Sequence, residues 1–203
     1  MKENIRLRLA ALRAEMRSAG ISATIIPQTD PHQSEYISDH WQIRRWLSGF
    51  TGSAGSLVVT TDKALLWTDS RYFIHAADQL SDTEIILMKD GLIDTPSIST
   101  YLAANLNNGD IVGINGMVFS TLETATMRQA LASSGINVDD NFNPIDRIWE
   151  DRPALPEGKA FVHELNYAGQ DAASKINIVL ANTKAQGATS VFISALDEIA
   201  WTL

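Results

Sequence analysis

The stretch Gly55-Ser-Leu-Val-Val-Thr-Thr-Asp-Lys-Ala-Leu-Leu-Trp-Thr-Asp-Ser-Arg-Tyr-Phe73 holds two apolar runs, 55–61 and 64–68, parted by Asp62-Lys63. Two β-rich runs around a two-residue polar turn predict a hairpin, and hence at least one antiparallel pair. Asp69 or Ser70 is placed to cap a helix that runs to Leu80. Glu84-Ile-Ile-Leu-Met88 then reads as a further strand. Strand, strand, helix, strand is the rhythm of an α/β domain with a mixed sheet.

The same alternation extends both ways. Upstream, Ile5, Leu9, Leu12 and Met16 fall on one stripe at helical period, which predicts a helix from Met1 to Ser18 with Gly20 as its stop. Ile21 to Ile26 reads as a buried strand closed by Pro27. Asp30 to Gly49 reads as a long polar loop with one helical turn near 42–47, and long irregular loops in compact domains are often functional. Downstream, helices are expected at 97–106 and 120–133, the second opened by a Ser120/Glu123 capping box, with strands at 111–114 and 136–138. The expected architecture is therefore a three-layer α/β domain over residues 1–150. Residues 151–160, rich in Pro and Gly, read as a linker. Residues 161–203 read as the truncated start of a second α/β domain, with a helix at 172–186, a strand at 189–194 and a helix from Leu196.

Composition excludes several classes. The 203 residues are 45% hydrophobic and 20% charged, the values of an ordinary globular protein. There is no cysteine, so disulfide frameworks, thiol catalysis and cysteine–zinc sites are excluded. No apolar run reaches the ~20 residues of a membrane span, and residues 1–20 lack a signal-peptide core. The net charge of −8 opposes duplex nucleic-acid binding. The one basic cluster, Lys2, Arg6, Arg8, Arg13 and Arg17, reads as a solvated helix face.

The residues offer no self-contained active site. His32, His40, His75 and His163 show no metal-ligand spacing. Ser53 in Thr51-Gly-Ser-Ala-Gly55 lacks the first glycine of a serine-hydrolase elbow and precedes a strand instead of following one. Gly49, Gly52 and Gly55 match neither the dinucleotide fingerprint nor a P-loop; they mark tight backbone or a loop lining a cleft. Asp197-Glu198 diverge on a helix and Asp139-Asp140 sit in a turn, so neither is an acid/base pair.

Six strings stand together in order: Asp30-Pro-His-Gln-Ser-Glu-Tyr36, Arg45-Trp-Leu-Ser-Gly-Phe-Thr-Gly-Ser-Ala-Gly55, Leu66-Trp-Thr-Asp-Ser-Arg-Tyr-Phe73, Met88-Lys-Asp-Gly91, Ile148-Trp-Glu-Asp-Arg-Pro153 and Leu196-Asp-Glu-Ile-Ala-Trp201. In order and spacing they resemble the cytosolic Xaa-Pro aminopeptidases (aminopeptidase P), creatinase- and prolidase-like "pita-bread" metallopeptidases. The resemblance implies a creatinase-like, non-catalytic N-terminal domain, then the start of a second domain. It implies a catalytic domain beyond residue 203 that holds two divalent metals, manganese by expectation, and no metal in this chain. It further implies a cytoplasmic homodimer, peptide substrates cut after the residue preceding proline, and no nucleic-acid or membrane partner. Arg71, Tyr72, His32 and Tyr36 are the expected substrate-access residues, Arg71 as a partner for a substrate carboxylate. Arg44, Arg45 and Trp46 are expected at a domain or subunit interface. Trp149 and Arg152 are expected to fasten the linker to the next domain. Two rival readings share the fold: a stand-alone non-enzymatic binding module, and a creatine-type amidinohydrolase. The Asp30–Tyr36 and Ser48–Gly55 strings favour the proline peptidase.

Overall fold

The computed structural model describes residues 2–203; Met1 and the side chain of Lys2, which belongs to the basic cluster, lie outside the described residues. In chain order the elements are α1 (Lys2–Ser18), β1 (Ala23–Ile26), α2 (Ile43–Ser48), β2 (Ser56–Thr60), β3 (Ala64–Thr68), α3 (Phe73–Gln79), β4 (Ile85–Lys89), α4 (Ile98–Asn105), β5 (Ile111–Gly113), α5 (Thr121–Ala132), β6 (Asn137–Asp139), α6 (Ile145–Ile148), α7 (Leu165–Ala168), α8 (Ala172–Ala185) and α9 (Leu196–Thr202). Single 3-10 turns sit at Asp39–Trp41, Ser70–Tyr72 and Gly116–Val118.

The six strands form one mixed sheet in the order β4-β3-β2-β1-β5-β6. β2 is antiparallel to both β1 and β3, and the other adjacent pairs are parallel. Period-two alternation sends Leu57 and Val59 to one face and Val58 to the other. On the first face Ile5, Leu9, Leu12 and Met16 of α1 pack with α2, α3 and α6. On the second face Leu102 of α4 and Leu131 of α5 cover Ala23, Ile25, Leu65 and Trp67. The three-layer mixed-sheet fold is as the sequence predicts. The α1 stripe is buried to 2% exposure or less, so its apolar period is what holds the helix to the sheet.

Local chemistry explains where the elements begin and end. Gly20, at φ +69°, ends α1, and Ile21 N–H closes back on Met16 C=O at 2.8 Å. Asp69 caps the turn at Ser70–Tyr72, its carboxylate accepting from Arg71 N–H, and that turn feeds α3. Ser120 and Glu123 form the expected capping box of α5.

Two local expectations are corrected. The hairpin turn is Thr61-Asp62, one residue earlier than read. The register pairs Val59 with Ala64, and Thr60 N–H donates to Lys63 C=O at 2.9 Å. The Thr60 hydroxyl donates to the Asp62 carboxylate at 2.8 Å and accepts from Lys63 N–H at 2.9 Å, which fixes that closure. Residues 189–194 form no strand. β character in Val191 and Phe192 is realised only against a neighbouring strand, and this stretch meets none; Phe192 is 90% exposed.

Candidate functional site

Because β2 alone runs backwards, the other five strands end at one edge of the sheet. The start of β2 lies at that edge as well. The loops 27–42, 50–55, 69–72, 114–119 and 140–144 therefore gather there, on the side where open α/β sheets receive ligands. The four substrate-access candidates, His32, Tyr36, Arg71 and Tyr72, stand in these loops.

The centre of the cluster is organised by Arg44, which is fully buried. Its Nη1 donates to Phe50 C=O at 3.0 Å, its Nη2 donates to Gly52 C=O, and its guanidinium lies 4.7 Å from the Phe50 ring centroid. Nε has no partner. Burial pushes this guanidinium down to about 10, and the neighbouring Arg45 charge adds to the effect. Arg44 was expected at an interface; it is instead an internal brace for the 50–52 backbone. Arg45, beside it on α2, is exposed.

The strap held by Arg44 is tight. A Cβ on Gly52 would stand 2.3 Å from Phe50 Cζ and 2.8 Å from Tyr72 Cδ1. Gly55, at φ +137°, has a left-handed backbone that a side chain resists, and a Cβ there would meet Trp67 C=O at 2.5 Å. These glycines thus mark close backbone approach. Ser53, carried on the strap, meets the Tyr72 hydroxyl at 2.7 Å. This hydrogen bond to Ser53 holds the Tyr72 phenol below its ordinary range. Ser53 therefore faces a phenol, while His75 Nε2 lies 3.4 Å from the Thr51 hydroxyl.

Arg71 and Tyr72 are adjacent, with the Arg71 guanidinium 5.4 Å from the Tyr72 ring centroid. Arg71 grips Asp69 through Nε at 2.9 Å and Nη2 at 2.7 Å. Asp69 raises the Arg71 guanidinium, and the field of Glu35 contributes. The Arg71 side chain is still 67% exposed, and its Nη1 meets no acceptor among the described residues. A further carboxylate has donors waiting there.

His32 and Tyr36 lie on the neighbouring loop. The loop is built on Asp30, 5% exposed, whose Oδ1 accepts from the N–H groups of His32 at 2.9 Å and Ser34 at 3.0 Å. Tyr36 is exposed. His32 Nδ1 lies 2.8 Å from Ser194 C=O. The structure thus brings Arg71 together with Tyr72 and carries His32 and Tyr36 on one neighbouring loop, whose Glu35 contributes to the field at Arg71.

The remaining interface candidates pack within the sheet unit. Trp46 stacks on Trp149 at 4.7 Å, and the Arg8 guanidinium lies 4.7 Å from the Trp46 centroid. Trp149 is buried. Arg152 Nε donates to His40 C=O at 3.1 Å, its Nη1 pairs with Asp146 at 2.5 Å, and its guanidinium lies over Trp41. Trp149 and Arg152 therefore fasten the start of the linker back to the sheet unit, not forward to the next domain, because their aromatic and carbonyl partners all lie before residue 150. Sequence reading missed Asp30, the Ser53–Tyr72 pair and His40, whose Nδ1 lies 2.7 Å from Pro153 C=O. Of these, Asp30-Pro31 carried a legible signal as an Asx-turn start.

Among the described residues no three His, Asp or Glu side chains converge as a metal centre requires. No helix among them is long and apolar enough to cross a membrane.

Comparison with known proteins gives a consistent result. The family model described as the Creatinase/Prolidase N-terminal domain matches residues 8–148, and a second model of the same description matches residues 151–203. The Xaa-Pro aminopeptidase ApepP of Drosophila melanogaster is 43% identical over 201 residues, 98% of this chain and 33% of that protein. Aminopeptidase P2 of Arabidopsis thaliana is 43% identical over 187 residues, 91% of this chain and 26% of that protein. The chain thus spans a third or less of the length of these relatives. Among solved structures, the X-prolyl aminopeptidase of Caenorhabditis elegans, described as a cytosolic enzyme with a di-nuclear active site, superposes with a TM-score of 0.88 and 29% identity. That match covers 98% of this chain and 34% of that one.

Proposed function

We propose a function from one premise: this chain belongs to the creatinase/prolidase N-terminal domain family. Its role is that of the non-catalytic N-terminal region of a Xaa-Pro aminopeptidase, a metal-dependent cytoplasmic enzyme that removes the residue preceding proline from the N-terminus of peptides. The observation that carries this reading is the 43% identity, across 98% of the chain, to a Xaa-Pro aminopeptidase. Residues 1–150 form one domain, 151–160 the linker and 161–203 the start of a second. The metals, two divalent ions with manganese the first choice, belong to a catalytic domain that is this chain's principal partner. What supports that assignment is the Caenorhabditis elegans relative, described as having a di-nuclear active site, of which this chain matches only 34%.

The physical job of this chain is then to help form a homodimer and to wall the substrate entrance. The loops at the C-terminal edge of the sheet are the wall. Arg71, with unengaged donors, and the Tyr72 hydroxyl meet a peptide carboxylate, and Tyr36 and His32 border the path. The exposed Arg45 remains for an interface.

The test uses the full-length gene product, manganese and an Arg-Pro-Pro peptide. Replacing Arg71 by Ala removes a charged hydrogen-bond donor and raises KM on the order of tenfold with kcat retained. An unchanged KM overturns the wall assignment. Absence of cleavage by the unaltered full-length protein overturns the peptidase reading and favours a binding module of the same fold.

A further inference from the structure

Residues 154–164 carry no regular element, and every one of them is exposed. This tether does not by itself decide where α7, α8 and α9 lie relative to the sheet. Its root is decided: His40 Nδ1 meets Pro153 C=O at 2.7 Å, and Arg152 Nε returns a bond to His40 C=O at 3.1 Å. Forty-one positions after Pro153, Ser194 C=O is met by His32 Nδ1 at 2.8 Å. Ser194 directly precedes Ala195, the N-cap residue of α9, and α9 is joined to α8 by Lys175 Nζ, which donates to Trp201 C=O and lies 5.3 Å from the Trp201 ring. A hold on Ser194 is therefore a hold on the α8–α9 pair.

Both histidines come from one loop, and that loop is rigidly built. Asp30 is buried and braces His32 and Ser34 through their N–H groups. Gln33 takes φ +58°, and its Nε2 donates to Val118 C=O at 3.2 Å, which ties the loop to the one after the neighbouring strand β5. A backbone carbonyl only accepts, so Nδ1 of each histidine carries the proton in these bonds.

We propose that the 30–40 loop is a two-point clasp, with His40 fixing the root of the tether and His32 acting as the latch that sets the orientation of α8 and α9 against the sheet unit. This goes beyond the peptidase assignment and stands independently of it. One exposed hydrogen bond shifts a conformational equilibrium by about five- to tenfold, so the latch is strong enough to dominate and weak enough to open.

The chain has no cysteine, so a pair of spin labels can be placed without background, at Gln129→Cys on α5 and Ala181→Cys on α8, both exposed positions. In the 203-residue chain, whose sheet unit buries its own two-sided core, electron–electron dipolar spectroscopy is expected to give one narrow distance population. His32→Ala broadens it and adds longer distances. His32→Asn, whose amide nitrogen occupies the place of Nδ1, restores the narrow population. The thermal transition of the sheet unit is the same in all three. A distribution unchanged in His32→Ala, a distribution already broad before substitution, or no rescue by Asn overturns the proposal. A lowered thermal transition in His32→Ala also overturns it, since His32 would then belong to the fold.

Discussion

At Arg44 the chain buries a guanidinium and surrounds it with two backbone carbonyls and an aromatic face, with no carboxylate among its partners. Removal of the side chain leaves Phe50 C=O and Gly52 C=O buried without donors and opens a cavity. Arg44→Ala is expected to lower stability by about 3 kcal/mol, read as a shifted urea midpoint with unchanged slope. Arg44→Lys, with one ammonium for two carbonyls, should recover only part of this. Asp110 presents a titration at the same scale. Asn107 N–H at 2.7 Å, then the Ser22 hydroxyl at 2.7 Å, favour its charged form and hold the carboxyl below the usual range. A lowered folded-state value contributes stability that is full above the unfolded carboxylate range, about pH 4, and is lost as pH falls through the folded value. Asp110→Asn should therefore melt lower than the unaltered chain near neutral pH, and the gap should close in melts taken at progressively acid pH. Asp110 did not announce itself, and Arg44 did so only as an interface candidate. Arginine is a surface residue by default, and it is the fold of the 50–52 backbone and the Phe50 ring onto its guanidinium that places Arg44 inside.

Elements whose signals are local were legible. The α1 stripe, the Gly20 stop, the hairpin runs and the Ser120/Glu123 box each depend on residues within a few positions of one another. The box can be tested alone: Ser120→Ala should cost about 1 kcal/mol, seen as a lower melting temperature with the fold retained by circular dichroism. A strand has no such autonomy. Residues 189–194 have the right composition and no partner, so the ladder that would make them a strand does not form. The one-residue error at the hairpin has a similar origin, since Thr60 closes the turn with its hydroxyl rather than by turn propensity. The site follows the same division. The place of Arg71 and Tyr72 after a strand end was legible because Asp69 caps the turn there. The Ser53–Tyr72 and His32–Ser194 contacts join positions far apart in the chain, and no local pattern encodes them.

For the whole molecule, the sheet unit has a core on each face, while the region after residue 153 leaves Phe161, Val162, Tyr167, Phe192 and Trp201 exposed. Exposed apolar surface of this kind is what a further folded partner covers. This accords with a chain that spans a third or less of the length of its relatives. In the proposed function this chain contributes shape and access, and bond cleavage falls to a different part of the protein. The most direct test compares the purified 203-residue chain with the full-length gene product on an Arg-Pro-Pro peptide in the presence of manganese. Release of the N-terminal arginine is expected from the full-length protein and none from the 203-residue chain, as the proposed function requires. Cleavage by the 203-residue chain itself would contradict it.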